Sequence, residues 1–181
     1  MKTFIALLRG INVGGHKKVP MAELREILAA RGLQHVQTYI QSGNVVFQSE
    51  KSTVQLESDI HEAIKEHFRF DVPVLVRTHQ NLKDILDNCP FEKEKKEKSY
   101  FTLLQSPPEA SRMAEVAMLE YPGEEFVVTP ECIYYFSAVG FGKAKFNWKG
   151  VERKLNVSMT ARNFRTVQKL LSLSDQNNPN D

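Results

Sequence analysis

Residues 3–8 read Thr-Phe-Ile-Ala-Leu-Leu and leave no polar face. A strand that is apolar on both sides belongs in the middle of a sheet under cover, so the segment 3–9 predicts a central strand. Pro20 fits the first turn of a helix whose apolar stripe is Met21, Leu24, Ile27 and Leu28, closed by Gly32. Strands over 36–40 and 45–48 follow, joined by the turn Gln41-Ser42-Gly43-Asn44. Leu56, Ile60, Ile64 and Phe68 are spaced for a helix over about 54–68. Residues 72–76 form the next strand, with Pro73 putting its start near an edge. The order is βαββαβ, the split βαβ arrangement of a ferredoxin-like domain.

A second passage has a similar rhythm. Leu82, Ile85 and Leu86 belong to a short helix ended by Cys89-Pro90, and residues 92–98 form a connector of alternating charge. A strand over 100–104, a helix over 108–120 and a hairpin from 125–128 and 132–137 come next. Helical spacing returns at Ala144, Trp148, Val151 and Leu155, and again at Phe164, Val167 and Leu171. The expected fold class is therefore α+β, with two ferredoxin-like units in tandem over 1–78 and 79–173. The second is expected to be incomplete, βαββ followed by C-terminal helices, and residues 174–181 to be a disordered tail. No residue-level repeat is evident, so duplication rests on element order alone.

The net charge of +2 does not announce a nucleic-acid protein, but its distribution is uneven. Residues 89–138 carry 5 Lys/Arg against 9 Asp/Glu, whereas residues 139–181 carry 8 against 3. No apolar run approaches the roughly 20 residues a bilayer needs, and the first residues read as a strand rather than a leader. Cys89 and Cys132 cannot make a disulfide framework for a chain of this size. A cytoplasmic protein with no membrane contact is expected, its oligomeric state open. His61 and His67 lie six residues apart, which is wrong for two ligands on one helical face, and both cysteines are isolated; neither metal nor cofactor is expected. There is no nucleophile elbow and no evident acid–base carboxylate pair, so no reaction follows from the sequence.

The best candidate site is the loop Arg9-Gly10-Ile11-Asn12-Val13-Gly14-Gly15-His16-Lys17-Lys18. It is not a Walker A loop, because His16 follows Gly15 and Val19-Pro20 offers no hydroxyl, and its glycines do not match G-x-G-x-x-G. What survives is a glycine nest beside a helix N-terminus with two lysines nearby, which suits an anion. The competing reading is a tight turn that the fold requires. In a βαββαβ unit this loop and the first hairpin turn lie at one end of the sheet, which brings Arg9, Asn12 and Lys17 toward Gln41, Ser42 and Asn44. Alternatively Gly43-Asn44 serves only the turn and Arg9 a surface ion pair.

A further basic cluster follows Thr160, a candidate N-cap. Arg162, Arg165 and Lys169 then fall on one helical face, either gripping phosphates or simply solvated, with Lys143, Lys145 and Lys149 preceding them. The aromatic strands Tyr100-Phe101 and Tyr134-Tyr135-Phe136 evoke an RNA-binding sheet. Residues 43–48, Gly-Asn-Val-Val-Phe-Gln, lack that pattern, and core packing is expected of those rings.

Three blocks, residues 7–20, residues 38–47 and Thr160-x-Arg162-Asn163-x-x-Thr166-Val167, together resemble the bacterial domain-of-unknown-function family 1697. The resemblance implies tandem ferredoxin-like domains in a small cytoplasmic bacterial protein, and no established activity. Two positions depart from the family's pattern: Ala144 stands before Lys145 where serine is usual, and Phe164-Arg165 where Trp-Asn is usual.

The expected function is a binding module for an anionic ligand, either a nucleotide-like small molecule or a nucleic-acid backbone. Its ligand-binding set is Arg9, Gly10, Asn12, Gly14, Gly15, Lys17, Lys18, Gln41, Ser42 and Asn44, with Arg162 and Asn163 closing the site from the second domain. One alternative is an enzyme acting on a phosphorylated or amide-containing metabolite at the interdomain cleft, with His16 as its titrating group. The other is a scaffold or regulatory self-association module.

Overall fold

The computed structural model describes residues 1–176. By compactness the chain divides into Met1–Lys83 together with residues from Gln168 onward, and Asp84–Val167. The fold is α+β, with two four-stranded antiparallel sheets.

The first unit runs β1 (Lys2–Leu8), α1 (Met21–Ala30), β2 (Gln34–Tyr39), β3 (Asn44–Ser49), α2 (Thr53–Phe68), β4 (Val74–Thr78) and into α3 (His79–Asp87). Its sheet has the order β2-β3-β1-β4, so β1 is central as its composition requires. Phe4, Ala6 and Leu8 join Leu24, Leu28, Leu56, Ile60 and Ile64 in a core against α1 and α2, while Ile5 and Leu7 on the other face are equally buried. Fully burying one such side chain contributes about 1.5–3 kcal/mol. The helix α2 starts at Ser52, where the Ser52 hydroxyl accepts from the Gln55 amide and the Gln55 side chain accepts from the Ser52 amide. It stops at Arg69 in the left-handed conformation.

The second unit runs α4 (Lys93–Lys96), β5 (Tyr100–Leu104), α5 (Ala110–Ala117), β6 (Glu124–Val128), β7 (Cys132–Ser137), α6 (Trp148–Leu155), β8 (Met159–Asn163) and into α7 (Phe164–Gln176). Its sheet order is β6-β7-β5-β8. The charged connector carries the single turn α4, from which Lys95 pairs with Glu125 at 2.8 Å. Phe101, Tyr134 and Tyr135 are buried.

Two expectations need correction. The second unit is not an incomplete βαββ, because residues 159–163 add a fourth strand paired to β5. Thr160 is therefore not a helix cap, and Arg162 does not share a helical face with Arg165 and Lys169. The strand is short and buried on both faces apart from Ala161 and Asn163, so it carries no alternation, and its pairing partner lies far upstream. Of the expected tail, Ser174–Gln176 complete α7; residues 177–181 lie outside the described residues.

The two sheets match each other in strand order and in register. Leu7 faces Asn44 and Ile5 faces Arg77 in the first sheet, as Leu103 faces Cys132 and Phe101 faces Arg162 in the second. At the ends of the central strands, Leu8 N–H donates to Gly43 O and Arg9 N–H to Pro73 O at 2.7 and 3.0 Å. Leu104 N–H donates to Glu131 O and Gln105 N–H to Ser158 O at 2.9 and 2.8 Å. Arg77 and Arg162 each donate through Nη1 to the carbonyl just before them. The next residue in each strand, Thr78 or Asn163, caps the helix that follows by accepting from the amide three positions on.

Candidate functional site

At one end of the first sheet three connections meet: residues 9–20 after β1, residues 40–43 after β2, and residues 69–73 before β4. Ile11 and Val19 anchor the first of them in the core. Between these anchors the chain makes a miniature hairpin: Asn12 N–H donates to Lys17 O at 3.1 Å and His16 N–H to Val13 O at 3.0 Å. Gly14 and Gly15, both at positive φ (57° and 78°), are its two central residues, the geometry of a type I′ turn.

The Asn12 side chain fixes this hairpin. Its Oδ1 accepts from Val19 N–H at 2.9 Å, and its Nδ2 donates to Val19 O at 3.0 Å and Gln41 O at 2.8 Å. Asn44 is fully buried, and its Nδ2 donates to Tyr39 O and to the Ser42 hydroxyl. Asn12 and Asn44 thus hold the loops, and their amide groups are committed to the protein. Gly10, Gly14, Gly15, His16, Lys17, Lys18, Gln41 and Ser42 are exposed, and Arg9 is half-buried. Lys17 Nζ reaches the main-chain carbonyl of Asp71 at 2.6 Å. Two aliphatic side chains, Val13 and Ile40, stand out at 67% and 50% exposure. Ile40 has a φ of 49°, costly for a β-branched residue, and Asn12 and Lys17 also have positive φ.

Three residues absent from the expected set belong to this end of the sheet. The Asp71 carboxylate receives Lys65 Nζ at 3.1 Å and His61 Nε2 at 3.3 Å. Lys65, by hydrogen bond and by charge, holds the Asp71 carboxyl below the usual carboxylate range, with His61 and Lys17 adding to the effect. The available sequence signal was the spacing of His61 and Lys65, four residues apart on one face of α2.

Arg162 and Asn163 lie in the second unit. The Arg162 guanidinium is buried, donates to Thr160 Oγ1 and Ala161 O at 2.9 and 2.8 Å, and is lowered by desolvation to about 10. The Asn163 side chain is occupied as the cap of α7.

Catalytic groups are sparse. The His16 ring has no hydrogen-bond or ion-pair partner among the described residues. Ser174, His79 and Asp175 form a chain, with Ser174 Oγ 2.7 Å from His79 Nδ1 and His79 Nε2 3.2 Å from Asp175. Ser174 has no exposed surface, so an incoming carbonyl cannot reach its hydroxyl, and the chain instead joins α7 to the start of α3. Among the described residues no group of three or more His, Cys, Asp or Glu side chains is placed to hold a metal ion. A cavity of about 480 Å³ beside Lys2, Phe4, Ser52 and Thr78 lies at the opposite end of β1 from the loops.

Among the described residues no helix is long and apolar enough to cross a membrane. No curated protein matches the chain. The solved structure of the conserved bacterial protein SP0830 from Streptococcus pneumoniae is similar over 96% of this chain and 98% of its own. Its identity to this chain is 27% and its TM-score 0.77. The family described as protein of unknown function, DUF1697, matches over residues 1–134, and the chain belongs to that family.

Proposed function

We propose that the first unit is an anion-binding module and that both units are ferredoxin-like. Strand orders β2-β3-β1-β4 and β6-β7-β5-β8, each built from a βαββαβ succession, support the fold reading. In the functional reading Lys17, Lys18 and Arg9 supply charge, and the exposed amides of Gly10, Gly14 and Gly15 supply donors. Gln41 and Ser42 line the second loop, and Asn12 and Asn44 keep the loops in register.

One observation carries this reading. Between its first strand and first helix the first unit spends residues 9–20, whereas the second unit crosses the equivalent connection with residues 105–109. A sheet of the same order and register closes without the longer loop. The extra length, rich in glycine and lysine and exposed at its tip, is therefore not demanded by the fold, and an anionic ligand is the partner its charge suits. An enzymatic reading would need His16 as acid or base, and among the described residues the ring lacks an orienting partner.

The test is a thermal-shift titration at low and moderate salt with inorganic phosphate, nucleotides, sugar phosphates and short oligonucleotides. A ligand at ~100 times its Kd stabilises the protein by about 2.7 kcal/mol. A salt-sensitive shift that Lys17→Ala and Lys18→Ala abolish supports the reading; no shift with any of these anions overturns it.

A further inference from the structure

Asp71 stands where the side chains of Lys17, His61 and Lys65 meet. Lys65 Nζ and His61 Nε2 converge on the same carboxylate oxygen, Oδ1, and Lys17 Nζ, arriving from the glycine loop, binds the main-chain carbonyl of the same residue. The other nitrogen of the His61 ring, Nδ1, lies 2.9 Å from Val72 O. Both ring nitrogens thus face oxygen atoms of the Asp71-Val72 segment.

This gathering has little to do with holding the fold. The Asp71 carboxylate is 66% exposed and Lys65 is 58% exposed. Ion pairs in such surroundings are screened by water and contribute little to stability. The three side chains come from two elements, residues 9–20 and α2, at the end of the sheet where the loops meet. A cluster with a net positive charge around a single replaceable carboxylate is built like an anion site that already holds an anion.

We propose that Lys17, His61 and Lys65 form a phosphate subsite, and that Asp71 occupies it as an internal stand-in which an incoming phosphate group displaces. The proposal rests on the anion-binding reading above and extends it to residues outside the glycine loop. A phosphate suits the site better than the resident carboxylate, because it brings more negative charge and three acceptor oxygens to two lysine ammonium groups and an imidazole. Asp71 then acts as a competitor that sets a threshold for binding. The same chemistry is offered by a free phosphate monoester and by a nucleic-acid backbone.

The experiment is calorimetric titration of inorganic phosphate, and separately of a short single-stranded oligonucleotide, into the wild type and into Asp71→Asn, Lys65→Gln, Lys17→Gln and Lys18→Gln, with circular dichroism as the check on folding. Asp71→Asn is expected to tighten binding of at least one probe about fivefold, the release of an exposed ion pair. Lys65→Gln is expected to weaken binding of that same probe, and which probe responds identifies the source of the phosphate. If Lys17→Gln and Lys18→Gln weaken binding but Asp71→Asn and Lys65→Gln do not change it, the loop binds an anion and the Asp71 subsite is wrong. If neither the wild type nor Asp71→Asn takes up either probe, both readings fall together.

Discussion

Asn12 and Gln41, twenty-nine residues apart, are joined by a hydrogen bond of 2.8 Å from the Asn12 carboxamide to the Gln41 main-chain carbonyl. With the two bonds to Val19 it ties the strand–helix loop, the hairpin turn and the helix entry into one assembly. Asn12 also sits at a φ of 55°, which asparagine tolerates better than most residues.

Asn12→Ala should therefore cost about 2 kcal/mol, three partly exposed hydrogen bonds at about 0.5–1.5 kcal/mol each with some replacement by water. Asn12→Asp keeps the acceptor for Val19 N–H but sets a carboxylate oxygen against the Val19 and Gln41 carbonyls, so it should cost at least as much. Urea denaturation midpoints order the two variants, and amide exchange at Val19 reports whether the loop has come loose. An Asn12→Ala protein as stable as the wild type would remove the side chain from this role.

Gly43 makes the complementary contact from the hairpin. A Cβ at this position would lie 2.6 Å from Leu8 Cβ and 3.0 Å from Ile11 Cδ1, and the backbone has a φ of 79°. Leu8 Cβ belongs to the central strand and cannot rotate away. Gly43→Ala should destabilise by at least about 2 kcal/mol, from overpacking and positive φ together, measured as the shift of the urea midpoint.

How far the sequence goes is clear from particular residues. The strand β1, the helices α1 and α2 and the first hairpin are legible because their signals are local: a run apolar on both faces, helical spacing, Pro20 at the helix start and a Gly-Asn turn. The strand β8 is not, because Thr160 and Arg162 are buried by pairing with β5, and that pairing leaves no mark on five residues read alone. The proximity of the glycine loop to the hairpin followed from topology. The convergence of His61, Lys65 and Lys17 on Asp71 did not, since it depends on where α2 ends relative to the loop. The likeness of the two units was legible in element order but not in residues, because Arg77-Thr78-x-x-Asn81 and Arg162-Asn163-x-x-Thr166 share roles more than letters.

In the second unit, Glu124 should govern acid stability. Its buried carboxylate accepts from the Tyr135 hydroxyl and from the amides of Lys145 and Phe146, the latter two at 2.6 and 3.1 Å. Burial alone would raise its pKa, but the Tyr135 bond and the two amide bonds outweigh it and hold the group below its ordinary value. A carboxyl depressed in the folded state stabilises above its unfolded pKa, about 4.3, and that stabilisation disappears as pH falls through the lower folded value. Glu124→Gln should cost about 1–3 kcal/mol at neutral pH and flatten the loss of stability on acidification. Paired urea titrations at neutral and acid pH check both effects; an unchanged acid slope would show that other carboxylates set it.

Gly14 separates the turn from the ligand. A side chain there would meet nothing closer than His16 Cδ2 at 3.9 Å, so only the φ of 57° restricts the position, and asparagine is the residue that type I′ turns accept before glycine. Gly14→Asn should leave the urea midpoint within about 0.5 kcal/mol of wild type, whereas Gly14→Val should lose about 1–2 kcal/mol or open the hairpin. If the exposed turn amides hold an anion, the added asparagine side chain crowds the approach, and phosphate affinity falls although stability does not. A Gly14→Asn protein that binds phosphate as well as the wild type would assign the glycines to the turn and leave the binding to Lys17, Lys18 and their neighbours.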